Sequence, residues 1–426
     1  MWSPVAYFLD RFNIRNLCLL YFFVAPMLQD NADTNVLRIV LMVGYAISGS
    51  ILLLAFADRL SRFSDGIRFT GMSLIVLGMI ALCFLTIAIN TPKLLFSPGA
   101  YYFKYLKLVF PVACFFVMSR LWTIRDANKL YGILLASGAC ALAFLVPEYL
   151  FLYKEGAVIP RLASFFVDSN KYALFLNVIY AFTLPLLIRG RLQGRGVALE
   201  ALIIAALVLQ LFLTQSRGGM ITNGVITVAC FLPRPARKVA LSAWPVFMVI
   251  ALLFVAGVVA RYLGSAEGSQ LAQMSNFLRI LTYSVGRNII MDRPFLGIGF
   301  ANIMQAYDRY GVEESVMMTG PMSIHNATLE IFAEEGFFGM VFYLLLMFVP
   351  IYFLVRKIRG ALREGRYPVI ELAALGIPMA FFGYGLTSPN YLPDDFFWVY
   401  MSFTMLVIRT PVPPGFELRI PRFRFL

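Results

Sequence analysis

The chain has 426 residues, of which 60% are hydrophobic, 15% aromatic and 14% charged, with a mean hydropathy of +0.78. Soluble globular domains carry about 25% charged residues, so this composition excludes most soluble enzymes, and it excludes intrinsic disorder, which needs low hydrophobicity. The remaining class is an all-α polytopic membrane protein, in which the net charge of +13 reflects basic cytoplasmic loops and no nucleic-acid partner.

A helix needs about 20 apolar residues to cross the hydrocarbon core. Windows of that kind predict about twelve transmembrane helices, near 16–28, 36–56, 70–89, 100–122, 129–150, 172–188, 197–213, 218–232, 239–259, 336–355, 369–387 and 394–408. The organisation expected is nine spans over 1–259, one large outward loop over 260–335, and three spans with a basic tail over 336–426. An even count puts both termini on one side. With that side cytoplasmic, the inner segments hold 23 of the 36 Lys and Arg and the short outer loops hold five, a strong positive-inside asymmetry. No short apolar core with a small-residue cleavage site opens the chain, so no removable signal peptide is expected. The five cysteines lie in apolar runs without a C-x-x-C pair and read as small buried hydrophobes.

Six charges fall inside the windows: Arg38, Lys104, Lys107, Glu148, Glu200 and Glu371. Each lies in the outer thirds of its window, where snorkelling to the interface explains it. Lys104 and Lys107, three apart, share a helix face and form a pair suited to an anionic lipid headgroup. A transporter or lipid-sugar flippase predicts midplane charges and internal repeats, and neither is present. No phosphate-binding G-x-x-x-x-G-K-[ST] loop occurs.

The outward segments carry the polar chemistry. They are Pro160–Asn170, with Arg161 and the run Asp168-Ser169-Asn170; Thr214–Gly219, with Ser216-Arg217-Gly218-Gly219; Arg279–Phe300, with Tyr283, Arg287 and Asp292-Arg293-Pro294-Phe295-Leu296-Gly297-Ile298-Gly299-Phe300; and Ser323–Gly339, with His325-Asn326, Leu329, Glu335-Gly336 and Gly339. Arginine forks match phosphate oxygens, and Gly218 and Gly219 would let backbone approach a ligand. His325, the only histidine, titrates near neutrality and suits proton removal from a hydroxyl. This combination fits glycosyl transfer from a lipid diphosphate. Each element also has a plain alternative: solvated loop arginines, a packed or capping histidine, a tight Gly-Gly turn, and helix caps at Asn170, Asn326, Asp394 and Asp395.

Taken in order on one side of the membrane, the four blocks resemble the bacterial O-antigen ligase and O-antigen polymerase superfamily over roughly residues 160–340. The resemblance implies a helical bundle of the lipid-dependent glycosyltransferase type in the bacterial inner membrane. It implies transfer of a glycan from undecaprenyl diphosphate at the periplasmic face, either to lipid A-core (ligase) or to another lipid-linked glycan (polymerase). It implies an inverting reaction with no cofactor and no metal, consistent with the lack of a D-x-D pattern. By motif, His325 would activate the acceptor hydroxyl and Arg217 and Arg279 would hold the diphosphate. Arg161 would be a third contact, and Asn326, Lys104 and Lys107 complete the expected binding set. Tyr283 stands where tryptophan is common. Arg287 competes with Arg279, because 279, 283 and 287 lie four apart on one helix face.

Overall fold

The computed structural model describes residues 14–27, 46–53, 71–90, 100–154, 162–166, 168–239, 266–311, 322–389, 392–413 and 416–420. Among these every regular element is helical. The helices are α1 (Ile14–Val24), α2 (Gly71–Asn90), α3 (Ala100–Leu121), α4 (Ala127–Lys154), α5 (Ser169–Leu192), α6 (Ala198–Thr214), α7 (Arg217–Phe231), α8 (Ala266–Asp292), α9 (Ala327–Arg363), α10 (Val369–Gly385) and α11 (Asp395–Arg409). Residues 46–53 and 234–239 are also helical. The 239–259 window and most of the 36–56 window lie outside the described residues. Four helices among the described residues are long and apolar enough to cross a membrane: Gly71–Asn90, Ile124–Leu150, Ser169–Leu192 and Ala327–Arg363.

The bundle is organised around α5. In its most apolar stretch 83% of residues are buried, against 33–39% in the other three long helices. The others therefore present more of their apolar surface outward, as lipid-facing helices do, while α5 is surrounded by protein. It packs against α10, α6 and α7, and α10 in turn packs against α9, α7 and α11. Small residues allow the close approach: a Cβ added at Gly376 of α10 would stand 2.2 Å from the Ala181 Cβ of α5. That is the helix packing expected where burial from water supplies no driving force. Aromatic side chains fill the wider gaps. Tyr131 and Phe182 stack at 5.6 Å, Phe182 meets Phe403 at 4.8 Å, and Phe396 packs edge-on to Phe381 at 5.2 Å.

Two expectations about charges are corrected. Glu148 does not snorkel. Its carboxylate accepts the backbone N–H groups of Ala163 (2.9 Å) and Ser164 (2.7 Å), anchoring the turn that follows Arg161. Glu371 is buried and held in a two-pronged pair by Arg366, at 2.6 and 3.2 Å. Both carboxylates enter the apolar bundle with full hydrogen-bonding partners, which is how buried charge is tolerated.

The long segment before the tenth window is largely ordered. Residues 266–292 form one helix, and α9 begins at Ala327 and runs through the 335/336 boundary. It is broken there: Gly336 adopts φ 70°, ψ −166°. The break releases carbonyls that a continuous helix would use itself. Ala333 accepts the Ile298 N–H (3.1 Å), Glu334 accepts the Gly299 N–H (2.7 Å), and the Phe337 N–H reaches Pro294 (2.8 Å). The Pro294–Gly299 loop is thereby stitched onto the break. A Cβ at Gly336 would lie 2.1 Å from the Phe295 carbonyl carbon. Gly297 of the third block and Gly336 of the fourth thus serve backbone docking.

Candidate active site

The tight α6–α7 junction builds the first wall. α6 ends at Thr214, Gln215 turns the chain in the left-handed region (φ 53°), and Ser216 caps α7. The Ser216 hydroxyl oxygen accepts the Gly219 N–H at 3.2 Å, and the hydroxyl donates to Asn170 Oδ1 at 2.8 Å. Arg217 is therefore the first residue of α7, and it is exposed. Gly218 and Gly219 are buried, and protein groups occupy the space a side chain would need. An added Cβ would meet Thr387 Oγ1 at 2.4 Å and the Ala173 Cβ at 2.6 Å. The close approach that these glycines permit is thus to α5 and the 386–388 turn. It corrects the expectation of a ligand against this backbone.

The start of α5 builds the second wall. Asp168 caps the helix by accepting the N–H groups of Asn170 (2.7 Å) and Lys171 (2.9 Å). Lys171 forms an ion pair with Asp394 at 3.1 Å. Asp394 was expected to cap the last span, yet its side chain makes no cap hydrogen bond to α11. Asp395 instead accepts the Tyr21 hydroxyl.

The third wall is α8 with the strand-like approach to α9. Asn326 caps α9 by accepting the Leu329 N–H at 3.0 Å, and its amide donates to the Leu386 carbonyl at 3.5 Å. Both ends of this side chain are structural, as the capping alternative held. The Tyr283 hydroxyl of α8 donates to the His325 carbonyl at 3.2 Å, fixing the backbone beside the imidazole. Arg279 lies one turn before Tyr283 on the same face and is half-buried. His325 is itself half-buried. Burial lowers its pKa from the usual 6.5, the Arg279 cation lowers it further, and Asp168 opposes them. The net direction is downward, which favours the neutral imidazole, the form able to accept a proton.

Four helix starts meet at this end of the bundle: α5 at Asp168, α7 at Ser216, α9 at Asn326 and α11 at Asp394. They are tied by the Ser216–Asn170 hydrogen bond, the Lys171–Asp394 pair and the contacts of Asn326 and Gly218 with residues 386–387. Helix N-termini carry partial positive charge, so their convergence favours an anion, while Asp168, Ser216 and Asn326 already take N–H groups of the first turns. Arg217 and Arg279 add full charges at the same end.

The structure places Arg279 and Asp168 beside His325, with Asn326 next to it in the chain, while Arg217 stands exposed at the start of α7. Arg287 lies two turns beyond Arg279 on α8 and is exposed, so only Arg279 borders the histidine. Arg161 lies outside the described residues, as do the side chains of Lys104 and Lys107, whose backbone belongs to α3. Asp168, read from the sequence only as part of a motif, is the acidic neighbour of His325; the serial run Asp168-Ser169-Asn170 before an apolar helix was the available signal.

No curated protein matches the chain. Residues 201–344 match the family model described as O-Antigen ligase. The matched stretch contains Arg217, Arg279 and His325, and so three of the four sequence blocks. The similarity to the O-antigen ligase family thus covers residues 201–344 of the 426.

Proposed function

We propose that this protein is a membrane glycosyltransferase that moves a glycan from undecaprenyl diphosphate to a sugar hydroxyl of lipid A-core. The reaction would occur at the periplasmic face of the bacterial inner membrane, within a twelve-span chain whose termini are cytoplasmic. The observation that carries this reading is the half-buried His325 flanked by Arg279 and Asp168 at a convergence of helix N-termini. In the proposed step the acceptor hydroxyl loses its proton to His325 as its oxygen attacks the anomeric carbon. The bond from that carbon to the diphosphate oxygen breaks, and the diphosphate leaves with the electron pair. Attack opposite the leaving group inverts the anomeric centre. Arg217, Arg279 and the helix N-termini stabilise the charge growing on the diphosphate, and Arg161 is a further contact. No metal is required for this charge balance. A polymerase would use the same donor site, and the superfamily contains both.

Reconstitution with undecaprenyl-diphosphate glycan, with and without lipid A-core, tests the assignment. Capped lipid A-core is the expected product, EDTA should leave the rate unchanged, and elongated lipid-linked glycan in place of capped core would make the protein a polymerase. Arg279→Ala should lower kcat/KM for the donor on the order of a hundredfold, with Arg217→Ala close behind. Arg279→Lys should recover only part, because an ammonium cannot reproduce the two-pronged contact. Full activity in Arg279→Lys would show that the side chain acts as a point charge.

A further inference from the structure

At the end of the bundle opposite His325 lies a cavity of about 480 Å³. It is bounded by the C-terminal end of α5, the turn between α9 and α10, and Val412, Phe416, Glu417 and Leu418 of the C-terminal segment. Its wall is amphipathic, with Arg189 and Arg366 beside Tyr367, Phe416, Val412 and Leu192. Leu192 is 37% exposed at the rim, so the apolar side of the cavity opens outward.

The charges around it do not balance. Glu417 pairs with Arg189, with Arg195 at 3.6 Å and with Arg419 at 2.6 Å, while Glu371 pairs with Arg366 at 2.6 Å. The Arg419 hydrogen bond, opposed by burial and helped by Arg189 and Arg195, holds the Glu417 carboxyl below its usual range. Arg189 and Arg366, in the wall of the cavity, are each paired with a carboxylate, and the excess of two positive charges in these pairs comes from Arg195 and Arg419, which flank Glu417 outside the wall. The same end carries the basic segments that the positive-inside rule assigns to the cytoplasmic leaflet, where anionic lipids concentrate. The C-terminal segment closes the cavity and is tied down independently: the Arg419 N–H donates to Asn128 Oδ1 at 2.7 Å, and Lys357 Nζ donates to the Val407 and Thr410 carbonyls at 2.6 and 2.8 Å.

We propose that this cavity binds the phosphodiester headgroup of an anionic phospholipid, with the phosphate between Arg189 and Arg366 and an acyl chain leaving past Leu192. Basic pockets between membrane helices on this side have the chemistry to take such headgroups. The bound lipid would bridge α5, α10 and the C-terminal segment.

Native mass spectrometry of the detergent-purified full-length protein, incubated with equal amounts of phosphatidylglycerol and phosphatidylcholine, tests this. Phosphatidylglycerol should be retained in clear preference. Arg189→Gln should weaken that retention about fivefold, the loss expected for one basic residue near an anionic headgroup. Glu417 keeps Arg195 and Arg419 as partners in that variant. Val412→Trp, which fills the mouth without altering charge, should abolish the preference. Both variants should melt at the wild-type temperature in lipid-free detergent. Equal retention of the two lipids, or wild-type retention in both variants, overturns the site. Stabilisation by inorganic phosphate with no preference between the lipids overturns the phospholipid as its occupant.

Discussion

His325→Ala is expected to lower glycan transfer by a factor on the order of 10²–10⁴, the range that a positioned general base contributes, while expression and melting temperature stay near wild type. The side chain is half-buried and its backbone carbonyl, not its ring, receives the Tyr283 hydroxyl, so removing the ring leaves the local fold held. The pH profile separates a base from a packing group. Because the folded pKa lies below 6.5, the rate should be level through neutrality and fall only as pH drops through that lowered value. Arg279 depresses the pKa and Asp168 raises it. The acid limb should therefore move up in pH in Arg279→Ala and down in Asp168→Asn. Substantial residual transfer in His325→Ala, or limbs that do not move in these directions, would remove the histidine from the proton transfer.

Gly336→Ala is expected to be strongly damaging for a single added methyl. Its φ 70°, ψ −166° lies in a region open essentially to glycine alone, where another residue costs about 1–3 kcal/mol. The methyl would also fall 2.1 Å from the Phe295 carbonyl carbon, so the Pro294–Gly299 loop must lift off the break. That movement uncouples the Ile298 and Gly299 amides from their acceptors and adds the cost of unpaired backbone groups. A total loss of about 3 kcal/mol or more follows, read as a large drop in melting temperature. Gly360→Ala, farther along the same helix with nothing within 4 Å of the new methyl, should be neutral or slightly stabilising. Similar melting temperatures for the two variants would refute the role of the break.

The sequence supports the helices more readily than the contacts between them. Apolar runs of spanning length locate α2 through α7 and α9 through α11, because a helix in lipid satisfies its own backbone and needs only composition and length. The partners of polar groups were not legible, since they come from elements distant in the chain. Glu148 looked interfacial until the 163–164 amides, 15 and 16 residues away, were placed against it. Asp394 looked like a cap until α5 brought Lys171 beside it. Gly218 and Gly219 looked ready for a ligand until Thr387 and Ala173 took the space. Of the candidate site, the motif spacing indicated His325, Arg217 and Arg279, and left Arg279 and Arg287 undivided. In the fold Arg279 neighbours His325, whereas Arg287 is exposed farther along α8.

The central position of α5 sets a fixed distance. Its 24 residues span about 36 Å, from Asp168 beside the histidine to Arg189 and Arg191 at the basic end. The hydrocarbon core is about 30 Å thick. A rod enclosed by protein on most of its length cannot tilt on its own to match a thinner or thicker bilayer, so the surrounding lipid must adjust instead. Under the proposed function, acyl-chain length would then govern how deeply a lipid-borne diphosphate sits relative to the histidine, and the membrane's own thickness would become part of the geometry of transfer.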